Sequence, residues 1–222
     1  MRGPQFLPSQ IVLVVAPPVL VATTYLVFRY SAARLGPARG YLVGFLFYWT
    51  VWCLLIPLLT VGPEGIRRMF SPPEPTFGRP GWLGVFLLVG PPLFMYLTVF
   101  PREIGSAGLT VAIYSALYAV VNGTMEEILW RGTFVTAFSG SWLWGYLYPA
   151  VWFGLWHLSP QAVEPSEPGG AVGFALLSIL LGLAWGWVAR TSGSIRWTVV
   201  AHVLLNFAVP AGRWFVTGKG GG

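Results

Sequence analysis

Two adjacent carboxylates, Glu126 and Glu127, are followed by Arg131 and, further along, by the chain's two histidines, His157 and His202. All five fall inside or beside apolar stretches, where an ionisable side chain is costly and marks a functional position by default. In Met125-Glu126-Glu127-Ile128-Leu129-Trp130-Arg131, helical spacing puts Glu127 and Arg131 on one face, where carboxylate and guanidinium can pair. Glu126 then points about 100° away, as ~3.6 residues per turn requires. One carboxylate can be held by the arginine while the other faces a cavity, free to act as a general base. The same spacing also fits a structural ion pair beside a wet crevice.

Two more patterns follow. In Phe153-Gly154-Leu155-Trp156-His157 an aromatic ring and a histidine share one helical face just before Ser159-Pro160 closes the helix. In His202-Val203-Leu204-Leu205-Asn206 two hydrogen-bonding side chains lie four apart, as donors aimed at one point or as polar glue between helices. The three patterns occur in order on three separate apolar segments, and together they hold every acid inside those segments and every histidine. One shared site is the simplest reading.

The elements that must position these residues are membrane helices. The chain is 55% hydrophobic and 9% charged, against roughly 25% charged residues in a soluble domain, and its mean hydropathy is +0.69. Apolar runs near 7–28, 41–61, 82–100, 108–125, 142–158, 170–189 and 195–216 approach the ~20 residues needed to cross ~30 Å of hydrocarbon. The expected fold is all-α, a polytopic membrane helix bundle of about seven spans, with six to eight as the range. The first run, with Pro17-Pro18 inside it and no small-x-small cleavage site, reads as an uncleaved helix. One transmembrane domain over 1–217 is expected, the motifs lying within 107–210, with a flexible Gly-rich tail at 218–222. The 62–81 connection is a loop in which Gly65–Phe70 fits a short amphipathic surface helix. Trp82, Trp142, Trp144, Trp197 and Trp214 fall near run ends, where an amphipathic ring suits the headgroup layer. Gly182 and Gly186 form a small-xxx-small pair for close helix approach.

Composition also excludes. The chain has no Asp, which removes Ser-His-Asp triads and aspartyl dyads. Its single cysteine, Cys53, sits mid-run and can form no internal disulfide. The net charge of +6 is scattered among loops without the stripe that nucleic acid requires, so the basic residues read as topology signals and anionic-lipid contacts. Alternating spans divide them six against six, while the 159–169 connection, with Glu164 and Glu167 and no basic residue, favours the non-cytoplasmic side. On these spans Glu126 and His202 fall toward one side of the membrane and His157 toward the other. A kink near Asn122-Gly123 would bring them together.

Glu126-Glu127-x-x-x-Arg131, Phe153-x-x-x-His157 and His202-x-x-x-Asn206, over roughly residues 107–210, resemble the CPBP (Abi) family, which includes type II CAAX prenyl endopeptidases and relatives linked to bacteriocin self-immunity. The resemblance implies a glutamate-type intramembrane endopeptidase in a bacterial inner membrane. Glu126 with His157 would activate water, His202 and Asn206 would hold the oxyanion, and Glu127, Arg131 and Phe153 would support them. It implies no cofactor; a zinc site, the alternative, would use Glu126, His157 and His202. The partners it implies are the bilayer and a membrane-embedded or lipid-anchored peptide or protein, with no nucleic acid. Removal of a C-terminal sorting tail, rhombosortase- or myxosortase-like, and bacteriocin or pheromone processing are alternative substrates. A non-catalytic immunity or scaffold protein is the alternative class; a small transporter lacks the paired broken segments it would need.

Overall fold

The computed structural model describes residues 6–103, 107–166 and 169–209, and the regular elements among them are all helices, with no strand. Helix α1 spans Pro8–Leu35 and α2 Pro37–Thr60. Gly36 turns the chain between them at φ +84°, a left-handed value that a side chain resists, and Pro37 then starts α2 with its φ already helical. α3 is Gly62–Met69, and α4 is Gly81–Glu103. α5 begins as Leu109–Glu127, widens into a π-helical stretch at Ile128–Thr133 and ends as Phe134–Ala137. α6 starts with the π-helical turn Leu143–Leu147, continues as Tyr148–Trp156, breaks at His157 and closes with Leu158–Gln161. α7 is Gly170–Ser192 and α8 is Arg196–Ala208. Every expected run is represented by a helix. The end of the seventh run and the Gly-rich tail lie outside the described residues.

Four of these helices, α1, α2, α4 and α7, are long and apolar enough to cross a membrane. Their large side chains face outward, Leu59 and Leu97 being 71% exposed and Phe86 66%. The polar residues face inward, where Glu126, Glu127 and Thr198 are fully buried. Such an inverted distribution suits a solvent of lipid, which rewards no burial of leucine, and the chain is an integral membrane protein. The three helices that carry the motifs, α5, α6 and α8, are not among the four. They pack closely with their neighbours: α5 on α8, α6 on α7, and α8 also on α4.

An aromatic core fills the space between α1, α2, α5 and α6. Tyr48 stacks on Trp156 with ring centroids 3.9 Å apart and accepts a hydrogen bond from Trp130 Nε1 at 2.8 Å, while Phe28 and Phe45 meet edge to face. The amphipathic segment forms α3. It buries Met69 against Ile128, Ala189 and Ile195 and turns Glu64, Arg67 and Arg68 outward. Hydrogen bonds from Arg67 and Arg68 hold the Glu64 carboxyl down at about 2. The end of α3 is stitched to the start of α8: the Met69 carbonyl accepts from Ile195 N at 2.9 Å and from Ser194 Oγ at 3.3 Å, and the Phe70 carbonyl accepts from Arg196 Nε. Trp82, Trp142 and Trp197 expose their rings at helix ends, as their positions in the sequence suggest.

Close packing of α6 on α7 depends on small residues. A Cβ on Gly154 would lie 2.2 Å from Ile179 Cγ1 and 2.5 Å from the Ala175 carbonyl, and one on Gly182 would lie 3.0 Å from the Ala150 backbone. Gly154→Ala is therefore expected to lower unfolding stability in detergent by about 1–3 kcal/mol, as overpacking does. Gly173→Ala, at a position with open space around it, is not expected to lower it. Thermal unfolding of the two variants checks this.

Candidate active site

The buried end of α5 sets the charge problem that the site solves. Glu126 and Glu127 are both fully buried, and Arg131, one turn on, is 2% exposed. Arg131 Nη1 lies 3.2 Å from Glu127 Oε1, the pairing their i, i+4 spacing suggests. From α8, His202 enters between the carboxylates: its Nδ1 is 2.9 Å from Glu127 Oε1 and its Nε2 3.2 Å from Glu126 Oε2. Carboxylate oxygens only accept, so an imidazole flanked by two of them is matched when both its nitrogens carry protons. Two negative charges then face two positive ones, and the buried cluster closes at zero formal charge.

The two glutamates are not equally satisfied. Glu127 Oε1 takes the aligned hydrogen bond from His202 and the arginine's charge, and the Thr198 hydroxyl stands beside this carboxylate. Glu126 meets His202 Nε2 at an ion-pair distance without hydrogen-bond alignment, and its Oε1 has no hydrogen-bond partner. Glu127 is thus the anchored member of the pair. Glu126 is held only by the looser contact with His202.

His157 sits where α6 breaks. Its Nδ1 is 2.7 Å from the Phe153 carbonyl, so that nitrogen donates and Nε2 is left as an acceptor. Glu126 lies close enough for its charge to act on this ring. Phe153 gathers the pieces: its ring packs edge-on to His157 at 4.7 Å and to His202 at 6.1 Å, and the Arg131 guanidinium lies over it at 4.0 Å. The expected separation of His157 from the other motifs is therefore corrected, and α5 continues through Asn122-Gly123 without a break. Gly123 serves another purpose. A Cβ there would lie 3.0 Å from Val203 N and 3.3 Å from His202 C, so its absence lets α8 approach closely enough for His202 to reach both carboxylates.

Asn206, one turn beyond His202, has its Nδ2 buried without an acceptor. Asn206 and His157 are only partly buried, in contrast to Glu126, Glu127 and His202. Asn122, one turn before Glu126, was not among the expected site residues; its Oδ1 accepts from Trp49 Nε1 at 2.9 Å. Thr198, one turn before His202, was also missed. Both could have been found as polar residues at i−4 from a motif position. Among the described residues no three His, Cys, Asp or Glu side chains converge as a metal-ligand set. In donor terms the zinc alternative fits poorly, because His202 has a carboxylate at each nitrogen and His157 Nδ1 faces its own helix.

Arg131→Met should destabilise the folded protein by roughly 3–5 kcal/mol, because removing one partner strands a buried charge, while Arg131→Met with Glu127→Gln should recover much of that loss. Unfolding of the single and double variants in mixed detergent measures the difference; equal destabilisation of both would show that the pair carries no charge compensation.

Residues 108–208, from the start of α5 to the end of α8, match a family described as Rce1-like: Type II CAAX prenyl endopeptidase Rce1-like. No curated protein and no solved structure matches the chain. The matched stretch contains Glu126, Glu127, Arg131, Phe153, His157, His202 and Asn206, so that the segment in which the whole cluster is assembled is the part of the chain similar to the Rce1-like type II CAAX prenyl endopeptidases.

Proposed function

We propose that the protein is a glutamate-type intramembrane endopeptidase in which Glu126 activates water against a peptide bond of a membrane-embedded or lipid-anchored substrate. The observation that carries this is the inequality of the carboxylates: Glu127 is held by an aligned hydrogen bond from His202 and by Arg131, while Glu126 is buried beside them with only the looser contact to His202 Nε2. Water placed between Glu126 and His157 Nε2 gives a proton to the carboxylate as its oxygen bonds to the carbonyl carbon. The oxyanion so formed can take the free Asn206 Nδ2 proton donor. As Glu126 becomes neutral its hold on His202 Nε2–H weakens, and the same N–H can turn to the oxyanion. Return of the proton from Glu126 to the amide nitrogen then lets the C–N bond break and the amine leave.

This sequence needs no metal. A hydrophobic groove of about 380 Å³ between α2 and α5, lined by Leu42, Trp49, Tyr114, Leu117, Tyr118 and Val121, supports lateral approach of an apolar or lipid-bearing substrate, since Trp49 joins it to Asn122 and hence to the turn before Glu126. The location, the inner membrane of a bacterium, rests on the resemblance alone.

Glu126→Gln keeps the shape and removes the base, and is expected to abolish cleavage in a folded, membrane-inserted protein. Mass spectrometry of protein termini in host membranes, wild type against Glu126→Gln at equal expression, should show unprocessed termini in the variant and so name the substrates. Identical termini would move the protein to the non-catalytic immunity or scaffold class. His157→Ala should be nearly as severe, and His202→Ala or Asn206→Ala should each lose on the order of 10²–10³ in rate, the usual loss for one oxyanion donor. Chelators should leave the purified protein active; inhibition reversed by added zinc would overturn the metal-free mechanism.

A further inference from the structure

Helix α7 carries none of the three motifs, yet it supplies a large side chain to the cluster. We propose that Trp185 is a positioning residue of the peptidase site, holding the His202 ring and the Arg131 guanidinium in register with Glu127; this rests on the endopeptidase reading above. Trp185 is fully buried. Its ring centroid is 4.9 Å from that of His202, with the planes at 44°, and the Arg131 guanidinium carbon lies 5.8 Å from it. Phe153 of α6 contacts the same two groups. The arginine and the histidine thus share two aromatic neighbours contributed by different helices.

Trp185 fits this task for three physical reasons. The negative face of an indole attracts a cation without offering it a proton acceptor, so the ring can steady Arg131 and a doubly protonated His202 while leaving their N–H groups to the carboxylates. Its orientation is fixed from outside the cluster, because Nε1 donates to the Leu87 carbonyl of α4 at 3.0 Å. And α7 itself is seated firmly, since Gly182 and Gly186 on either side of Trp185 let it close on Ala150 and Tyr146 of α6. The indole therefore links α4, which touches no motif residue through any contact described above, to the residue that bridges the two glutamates.

The test uses the fact that the chain has two histidines. Purified full-length protein labelled with ¹⁵N-histidine gives two sets of ring-nitrogen resonances, assigned with His157→Gln. In Trp185→Leu, which removes the aromatic face and the Leu87 bond, the His202 resonances should broaden or move to a different protonation pattern while those of His157 stay as they are. Cleavage should fall on the order of 10²-fold in kcat, the scale of a small misplacement of a catalytic group, with KM little changed. Trp185→Phe, which retains a ring, should restore most of the loss. Added to His202→Ala, Trp185→Leu should cost less than about threefold, because residues that act through one another are not additive. Unchanged His202 resonances in Trp185→Leu, or a full 10²-fold further loss in the His202→Ala background, would overturn the proposal. If the wild type cleaves nothing, the endopeptidase reading fails, and the ring-nitrogen spectra still decide whether Trp185 positions His202.

Discussion

Two carboxylates adjacent in sequence cannot both stay buried in a membrane bundle unless positive charge is brought to them. That requirement organises the second half of the chain. Arg131 answers it locally, within α5, while the second cation has to come from another helix, which obliges α8 to press against α5 at Gly123 and insert His202 between the carboxylates. The aromatic residues around the cluster follow from the same demand, since a desolvated guanidinium and imidazole need neighbours that tolerate charge without competing for their protons. In a low-dielectric interior an incomplete set would be far more costly than an apolar core. The site and the packing of α5 against α8 are one construction.

Much of this was legible in the residues. Periodicity and hydropathy placed a helix at each of seven runs, and i, i+4 spacing correctly paired Glu127 with Arg131 and set Phe153 against His157. Spacing within a helix is a local property, and local geometry is what a sequence displays directly. Relations between helices are not local. That His202 meets both glutamates depends on the register of α8 against α5, fixed by a contact at Gly123, a residue that the linear pattern offered as a kink. The depth of His157 depends on where α6 stops, and π-helical turns alter that depth without any obvious mark in the apolar pattern. Which glutamate takes the aligned hydrogen bond could not be read at all, because it is decided by how His202 enters from another helix. Trp185 was hidden for a plainer reason: among 12 tryptophans, most of which serve packing or the lipid interface, nothing in the sequence singles it out.

The division of labour between helices also makes sense of their composition. α1, α2, α4 and α7 satisfy the bilayer, and their outward faces are free to be monotonous leucine, valine and phenylalanine. α5, α6 and α8 turn apolar residues outward as well, and on their inward faces carry Asn, Glu, Arg and His; the break in α6 falls at His157. Irregular backbone at this depth is tolerable where protein rather than lipid surrounds it.

The stitching of α3 to the head of α8 has a mechanical meaning. α3 rides at the surface with Glu64, Arg67 and Arg68 facing out, and its last residues accept three hydrogen bonds from Ser194, Ile195 and Arg196. His202 lies less than two turns further along that helix. A helix advances only ~1.5 Å per residue, so α8 cannot piston along its axis by even one residue without breaking these bonds or dragging α3 with it. The clasp ties the register of the bridging imidazole to a segment at the surface, far from it in sequence.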